Sequence, residues 1–499
     1  MTVAIPKPQV PAARLPHWLG DISRAALPIA AAIVVAIVPP PAGLAHASWH
    51  YFGVFLGVIL GLVLEPIPAA AVGLVGVGYV AVFGLVFSPA QLANPAFNAP
   101  AEALKWALSG FSNSIVWLIF GAYMFALGYE RAGLGRRLAL VLVRGLGRRT
   151  LGLGYALALA DLALAPFTPS NTARSGGTIF PIVKNIPPLY GSQPGPTARR
   201  IGAYLTWTAF AATCVTSSMF VTALAPNLLA LEIVRKTVHV DIGWTEWLVA
   251  FAPVGVLLLA AVPLVTYVLY PPEVKDGRAV QAWAQEELGK MGRLSPREIV
   301  MGVLVLAALV LWIFGKSVVD PTMVALLVVV AMVLTGVVKW DDVVGNKQAW
   351  NVLVWFATLV TLADGLNKVG FVSWFASGAA ARFAGLGPIT VLLLLTALFF
   401  LVHYLFASST AHTTAVLPVV LAAGAAVPGM PVKAFAFALC FSLGLMGIIT
   451  PYATGPAPVW YGSGYVSRAE FWKLGLAFGV LFLAATLALG VPYLLALGR

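Results

Sequence analysis

Apolar stretches follow one another along the whole chain, separated by short polar connections. Ala26–Leu44, Ala69–Phe87, Val249–Leu269, Met301–Phe314, Met323–Val338 and Leu476–Leu497 approach or reach the roughly 20 residues that carry a helix across a hydrocarbon core. The shorter runs extend through weakly polar flanks. The pattern predicts an all-α polytopic membrane protein with about 11 transmembrane helices.

Two polar strings break this pattern about 240 residues apart, and they resemble each other: Ser170-Asn171-Thr172-Ala173-Arg174 and Ser408-Ser409-Thr410-Ala411-His412. Each is followed by apolar, helix-like sequence and a proline, Pro181 or Pro418. Irregular backbone is tolerated at membrane depth only where it lines a cavity. A repeated break therefore predicts a two-sided binding site near the bilayer midplane, and with it a transporter.

Composition agrees. With 60% apolar and 10% charged residues over 499 positions and a mean hydropathy of +0.93, the chain carries too little charge to cover a soluble globule. The formal charge of +12 reads as a topology signal rather than as nucleic-acid binding, because the basic residues sit in short connections between spans. Residues 1–24 hold Pro6, Pro8, Pro11 and Pro16 beside Lys7, Arg14 and Arg24, the composition of a cytoplasmic tail rather than of a cleaved signal. Cys214 and Cys440 are the only cysteines; far from a CxxC spacing, they read as small core residues. Neither cofactor nor metal is expected.

The main polar interruption, residues 271–297, contains Lys275, Arg278, Lys290, Arg293 and Arg297 and reads as a cytoplasmic linker between two halves. Related segments precede the two strings: Gly128–Gly133 ends 37 residues before Ser170, and Gly365–Gly370 ends 38 before Ser408. Each string is followed by a further polar break, Thr222–Asn227 and Thr450–Pro456, and the last spans begin alike at Thr245-Glu246-Trp247 and Ala469-Glu470-Phe471-Trp472. Four matches in the same order define two structural repeats, 49–270 and 298–497, with residues 25–45 as an additional first span.

Basic residues set the orientation. Arg131, Arg136, Arg137, Arg144, Arg148, Arg149, Lys184, Arg199 and Arg200 flank the first string, whereas the second has only Lys368, Arg382 and Lys433. The excess places the ends of the first segment in the cytoplasm and those of the second outside. Each string then forms the tip of a re-entrant helical hairpin, about 151–190 and about 388–427. An odd number of full spans per repeat inverts the second copy, with the N-terminus inside and the C-terminus outside.

Ser, Asn and Thr are good helix starters, because a side-chain oxygen satisfies the first free backbone amides. Capping the second arm of each hairpin, they would present unpaired N–H groups and partial positive charge to an anion. Two inverted tips aimed at one space suit a small molecule with a carboxylate at each end. The plain alternative is that such hydroxyls only bond the preceding turn; the paired occurrence argues against it. Arg174 and His412 occupy matching places, two residues beyond the tip threonines, and a cationic side chain within a span is a functional candidate by default. The expectation is fixed positive charge beside the anion; the competing readings are an ion pair of Arg174 with Asp161 and a neutral core imidazole at His412. His403 has no counterpart and reads as packing.

The strings Pro169–Thr178, Ser408–Pro418 and Thr450–Pro458 together resemble the divalent-anion/sodium symporter family, and within it the exchanger branch of citrate/succinate and tartrate/succinate antiporters and the plastid 2-oxoglutarate/malate translocator. The resemblance covers nearly all the chain after the first span. It implies a homodimer whose protomers each have a scaffold domain and a transport domain that carries both hairpins in an elevator-like displacement. It also implies substrate contacts from Ser170, Asn171, Thr172, Ser408 and Thr410, with Ser409 standing where sodium-coupled relatives often have asparagine. With Arg174 and His412 nearby, sodium sites are not expected.

The expected activity is exchange of small dicarboxylates (malate, succinate, fumarate, 2-oxoglutarate, or citrate and tartrate) across a bacterial inner membrane. Thr222, Asn227, Thr450 and Thr454 are expected to line the pocket. The alternatives are a sodium-coupled symporter on the same fold, a membrane-embedded transferase and a channel. The six histidines form no HExxH motif and the acidic residues no repeated cluster, which disfavours the enzyme.

Overall fold

The computed structural model describes residues 17–315, 317–383 and 385–498. Most of the expected N-terminal tail lies outside them. The described residues form helices joined by short turns, and the helix starts are written locally. Ser295 caps the helix Pro296–Phe314 in a reciprocal box with Glu298, Asp320 caps Pro321–Leu334 and Ser467 caps Arg468–Ala485, each supplying an oxygen to an otherwise orphan amide.

By length and composition, seven stretches among the described residues suffice to cross a membrane, including His46–Leu64, Trp244–Leu269, Pro296–Phe314 and Lys347–Lys368. Their outward faces are apolar: Val256, Leu257, Val268, Leu306 and Val310 are all at least half exposed, as expected of side chains that meet lipid.

The two halves repeat one order of elements. In the first, Ser114–Ala132 leads into the amphipathic Leu134–Leu146, a hairpin with arms Thr150–Leu164 and Thr172–Val183, a broken pair Gly202–Met219 and Ala225–Val238, and the long Trp244–Leu269. In the second, Lys347–Lys368 leads into Phe371–Arg382, a hairpin with arms Pro388–Val402 and Ser409–Ala425, a broken pair Val432–Leu445 and Ala457–Gly462, and Arg468–Ala485.

The axis of the molecule is Gly202–Met219, every residue of which is buried. It packs against the first hairpin arm, Trp244–Leu269 and Val432–Leu445. Gly444 permits the last contact: a Cβ there would come within 2.7 Å of the Ser218 amide nitrogen and 2.8 Å of the Cys214 carbonyl oxygen. Trp207, Trp247 and Trp460 fill the space around this crossing.

Within the linker, helix Arg278–Met291 lies against Leu134–Leu146. The Thr150 amide donates to the Lys275 carbonyl at 3.0 Å and the Gly277 amide to Arg148 at 2.9 Å, so the linker clasps the start of the first hairpin. Lys290 and Arg136 hold the Glu287 carboxyl below its usual range. Arg137 joins three elements. It pairs with Glu298 and donates to the carbonyls of Met291, Gly292 and Arg293, closing the C-terminal end of the linker helix. Glu298 is only 4% exposed. Removing its partner strands a buried charge, so Arg137→Met is expected to cost on the order of 3 kcal/mol, read as a lowered thermal unfolding midpoint in detergent.

Candidate functional site

Each hairpin tip is capped by its own serine. Ser170 Oγ accepts from the Ala173 amide at 3.2 Å, and Ser408 Oγ from the Ala411 amide at 3.3 Å. Beyond the first cap the arm is wound as a π-helix over Thr172–Ile179, a wide turn that proteins use sparingly and often at functional sites. It leaves Thr172 and Ala173 exposed while Arg174 and Ser175 turn inward. At the second tip Ser408 is exposed and Thr410 half-buried.

Arg174 has no exposed side-chain surface. Its Nε donates to Asp161 Oδ2 at 3.1 Å, Nη1 to the carbonyls of Thr168 at 2.9 Å and Ala223 at 2.8 Å, and Nη2 to Ser217 Oγ at 3.0 Å and Thr216 Oγ1 at 3.4 Å. All five N–H groups of the guanidinium therefore have acceptors within the protein. Asp161 is bonded in turn by Thr213 at 2.9 Å and by Thr216. A carboxylate only accepts, so Thr213 donates to Asp161 and accepts from Ser175 Oγ at 2.8 Å, which itself accepts from Trp460 Nε1 at 2.9 Å. The expectation that Arg174 presents free charge to a bound anion does not fit this geometry. Its charge is matched inside the protein by Asp161, and its contacts join the two arms of the first hairpin to the central helix.

His412 differs. Its ring is fully buried, among Phe399, His403 and Phe406 at centroid separations of 4.4, 4.9 and 5.0 Å. No carboxylate among the described residues pairs with it. His403 does more than pack: its Nε2 donates to the Ala453 carbonyl at 2.8 Å, tying the first arm of the second hairpin to the break in the following helix pair.

The breaks themselves divide. Thr222 and Asn227, expected in the pocket, are fully buried and brace the first hairpin and its own helix pair. Thr222 donates to the Pro166 carbonyl at 2.6 Å and accepts from Trp244, and Asn227 Nδ2 donates to the Ser217 and Phe220 carbonyls. The second break lies between the two tips. Asn171 Nδ2 donates to Thr454 Oγ1 at 2.8 Å, Ser409 Oγ to the Ala453 carbonyl at 3.4 Å, and a Cβ at Gly455 would collide with Thr172 Oγ1. Thr450 is buried behind it, accepting from the Tyr452 amide. Asn171, Thr172, Ser409 and Thr454 are thus brought together, with Ser408 and Thr410 on the adjoining tip.

A cavity of ≈ 850 Å³ is lined by Thr168, Ser170 and Ala173 of the first tip and by both basic and acidic residues, among them Arg131, Lys184, Asp341 and Asp342. Tyr123 lies beside Ser170 and Gln348 in its wall. Sequence reasoning did not single out Tyr123, Gln348, Ser175, Thr213, Thr216, Ser217 or Trp460. The crowding of Thr213, Thr216, Ser217 and Ser218 in an otherwise apolar helix was the available signal for the hydroxyl network.

The family described as "Sodium:sulfate symporter transmembrane region" matches residues 20–498. The chain belongs to this family, the divalent-anion/sodium symporters. Relatives named L-tartrate/succinate antiporter, from Shigella sonnei (strain Ss046) and Escherichia coli (strain K12), are each 48% identical over 470 residues, covering 94% of this chain and 96% of theirs. The YdaH transporter of Alcanivorax borkumensis shares the fold at a TM-score of 0.57 and 16% identity, covering 91% of this chain and 99% of that one.

The ion pair gives a direct test. Arg174→Met leaves Asp161 buried without its counter-ion and is expected to destabilise by about 3–5 kcal/mol. Replacing both partners, Arg174→Met with Asp161→Leu, is expected to recover most of that loss; unfolding midpoints of the single and double variants decide it.

Proposed function

We propose that this transporter exchanges C4 dicarboxylates, with L-tartrate and succinate as first candidates, between the two capped tips. The observation that carries the reading is the meeting of both tips on the Ala453-Thr454-Gly455 segment, through Asn171 and Thr172 on one side and Ser409 on the other. Exposed hydroxyls and helix starts on two sides of one space are a chemistry for a ligand with an anionic group at each end. The substrate contacts we assign are Ser170, Asn171, Thr172, Ser408, Ser409, Thr410 and Thr454. The names of the relatives at 48% identity point to the same substrates and to exchange rather than sodium symport. Membership of a transporter family sets aside the transferase.

Exchange has a physical origin that does not need a permanently cationic site. The Arg174 charge is balanced by Asp161, so what an empty site presents is the remaining hydrogen-bonding capacity of polar tip groups whose protein partners meet only part of it. Carrying these past apolar walls is costly; a bound dicarboxylate satisfies them. The two hairpins with their broken helix pairs form the moving, elevator-like body in this reading; the common order of elements supports the repeats 49–270 and 298–497, and an odd number of spans in each would invert the second. A homodimer in the bacterial inner membrane, with the N-terminus and the linker 271–297 in the cytoplasm, completes it. The cavity at the first tip then opens to the cytoplasm, among the basic residues that mark that side.

In proteoliposomes, uptake of labelled succinate is expected to require internal succinate or L-tartrate and to be unchanged when sodium is replaced by choline. Uptake into empty vesicles driven by a sodium gradient would establish the symporter instead. Thr172→Val and Ser408→Ala each remove a donor to a charged group and are expected to weaken exchange about tenfold or more, measured as the external concentration giving half-maximal uptake.

A further inference from the structure

The second hairpin holds buried polar atoms that neither the fold nor the tip contacts account for. His403 and His412 lie with ring centroids 4.9 Å apart and planes at 84°, and both are fully buried. His403 Nδ1 and both ring nitrogens of His412 have no hydrogen-bond partner among the described residues. The tautomer of His403 follows from its one bond: a carbonyl only accepts, so Nε2 carries the proton given to Ala453, and Nδ1 is left as a buried lone pair. A neutral His412 adds one lone pair and one N–H, both unmatched.

The surroundings supply no counter-charge of their own. Phe399 and Phe406 enclose the His412 ring at 4.4 and 5.0 Å with planes at 77°, an apolar enclosure with no charge to offer the imidazole. The His412 amide donates to the Ser408 carbonyl at 3.1 Å, so the imidazole sits one helical turn inside the tip that faces the ligand. Helix Ser409–Ala425 is packed by His46–Leu64, Ala225–Val238, Phe371–Arg382, Pro388–Val402 and Val432–Leu445. The ionisable groups on these elements and on the turn that follows Val402 are His46, His50, Tyr51, Glu232, Arg235, Lys236, Arg382, His403, Tyr404, Lys433 and Cys440. Of these, the ring that meets His412 is His403. Glu232 is paired with Arg235, Lys236 with Asp364 and Lys433 with Glu246. The negative charge that could offset a proton on the pair is therefore the ligand itself.

We propose that His403 and His412 form a proton-binding site that fills together with the dicarboxylate: a dianion at the tips draws one proton from solvent onto the imidazole pair. The site rests on the dicarboxylate reading and deepens it. Two adjacent imidazoles do not both charge, so one proton is shared by the pair. In one-for-one exchange a proton then accompanies each substrate in both directions, so strict exchange moves no net proton. The sign follows from linkage. A site protonated when loaded and neutral when empty binds more tightly as pH falls, by about tenfold per pH unit for one proton.

Isothermal titration of succinate into the purified full-length protein, in buffers of different ionisation enthalpy between about pH 6.5 and 8.5, counts the protons taken up. Uptake of about one proton, lost in His412→Gln and in His403→Gln but kept in His50→Gln, supports the site. Succinate binding with no proton exchanged by the native protein overturns it and leaves dicarboxylate binding intact. Uptake that persists in both tip variants also overturns it by placing the proton elsewhere. Should the variants fail to fold, the proton count of the native protein decides alone. Absence of binding by succinate and L-tartrate alike overturns the proton site and the dicarboxylate reading together.

Discussion

The burial of Arg174 against Asp161 is the constraint on which the first half of the site depends. An ion pair away from water is tolerated only when its remaining donors and acceptors are also met. Meeting them fixes the surroundings: Thr168 at the tip, Ala223 in the following break, and Thr213, Thr216 and Ser217 on the buried central helix. One side chain thereby holds two arms of a hairpin, the first piece of a broken helix and the break that follows it in a single arrangement. Through Ser175 and Trp460 the same network reaches the second half of the chain. The π-helical winding of Thr172–Ile179 is part of this device, because it turns Arg174 and Ser175 inward while leaving Thr172 free at the tip.

The second hairpin reaches a similar shape by different chemistry. Its arms are joined to the following break by His403 and Ser409 on a single carbonyl, that of Ala453, with aromatic rings where the first half has an ion pair. The two halves are alike in element order and unlike in electrostatics. The first tip is charge-balanced by protein groups; the second holds imidazoles without a counter-ion. Whatever anionic ligand enters therefore interacts with two tips that respond differently to its charge.

Much of the architecture was legible in the chain. Apolar runs, the polar linker and the strings at Ser170 and Ser408 announced a helical membrane protein with two hairpins, because these features are local: capping depends on a serine and the next amides, and span length on consecutive apolar residues. The family resemblance rested on the same strings, and the match over residues 20–498 agrees with it. What the sequence left open were contacts that depend on distant partners. Thr222 and Asn227 looked like pocket residues and brace backbone carbonyls, while Tyr123 and Trp460, far along the chain from the residues they meet, stand beside Ser170 and Ser175.

Arg174 shows where the boundary falls. Its cationic side chain within an apolar segment followed from the sequence alone, as did Asp161 on the opposite arm of the same hairpin, so the pair could be named as one of two readings. Whether the guanidinium faced a ligand or the protein was decided by the π-helical turn and by the fully buried helix Gly202–Met219, which supplies the hydroxyls that complete its shell. The sequence by itself determined which segments enter the membrane, where they break and which polar residues stand at the breaks. Only the tertiary structure decided which of those residues keep free hydrogen-bonding capacity, because satisfaction of a buried polar group depends on atoms that meet it in space, not on its neighbours along the chain.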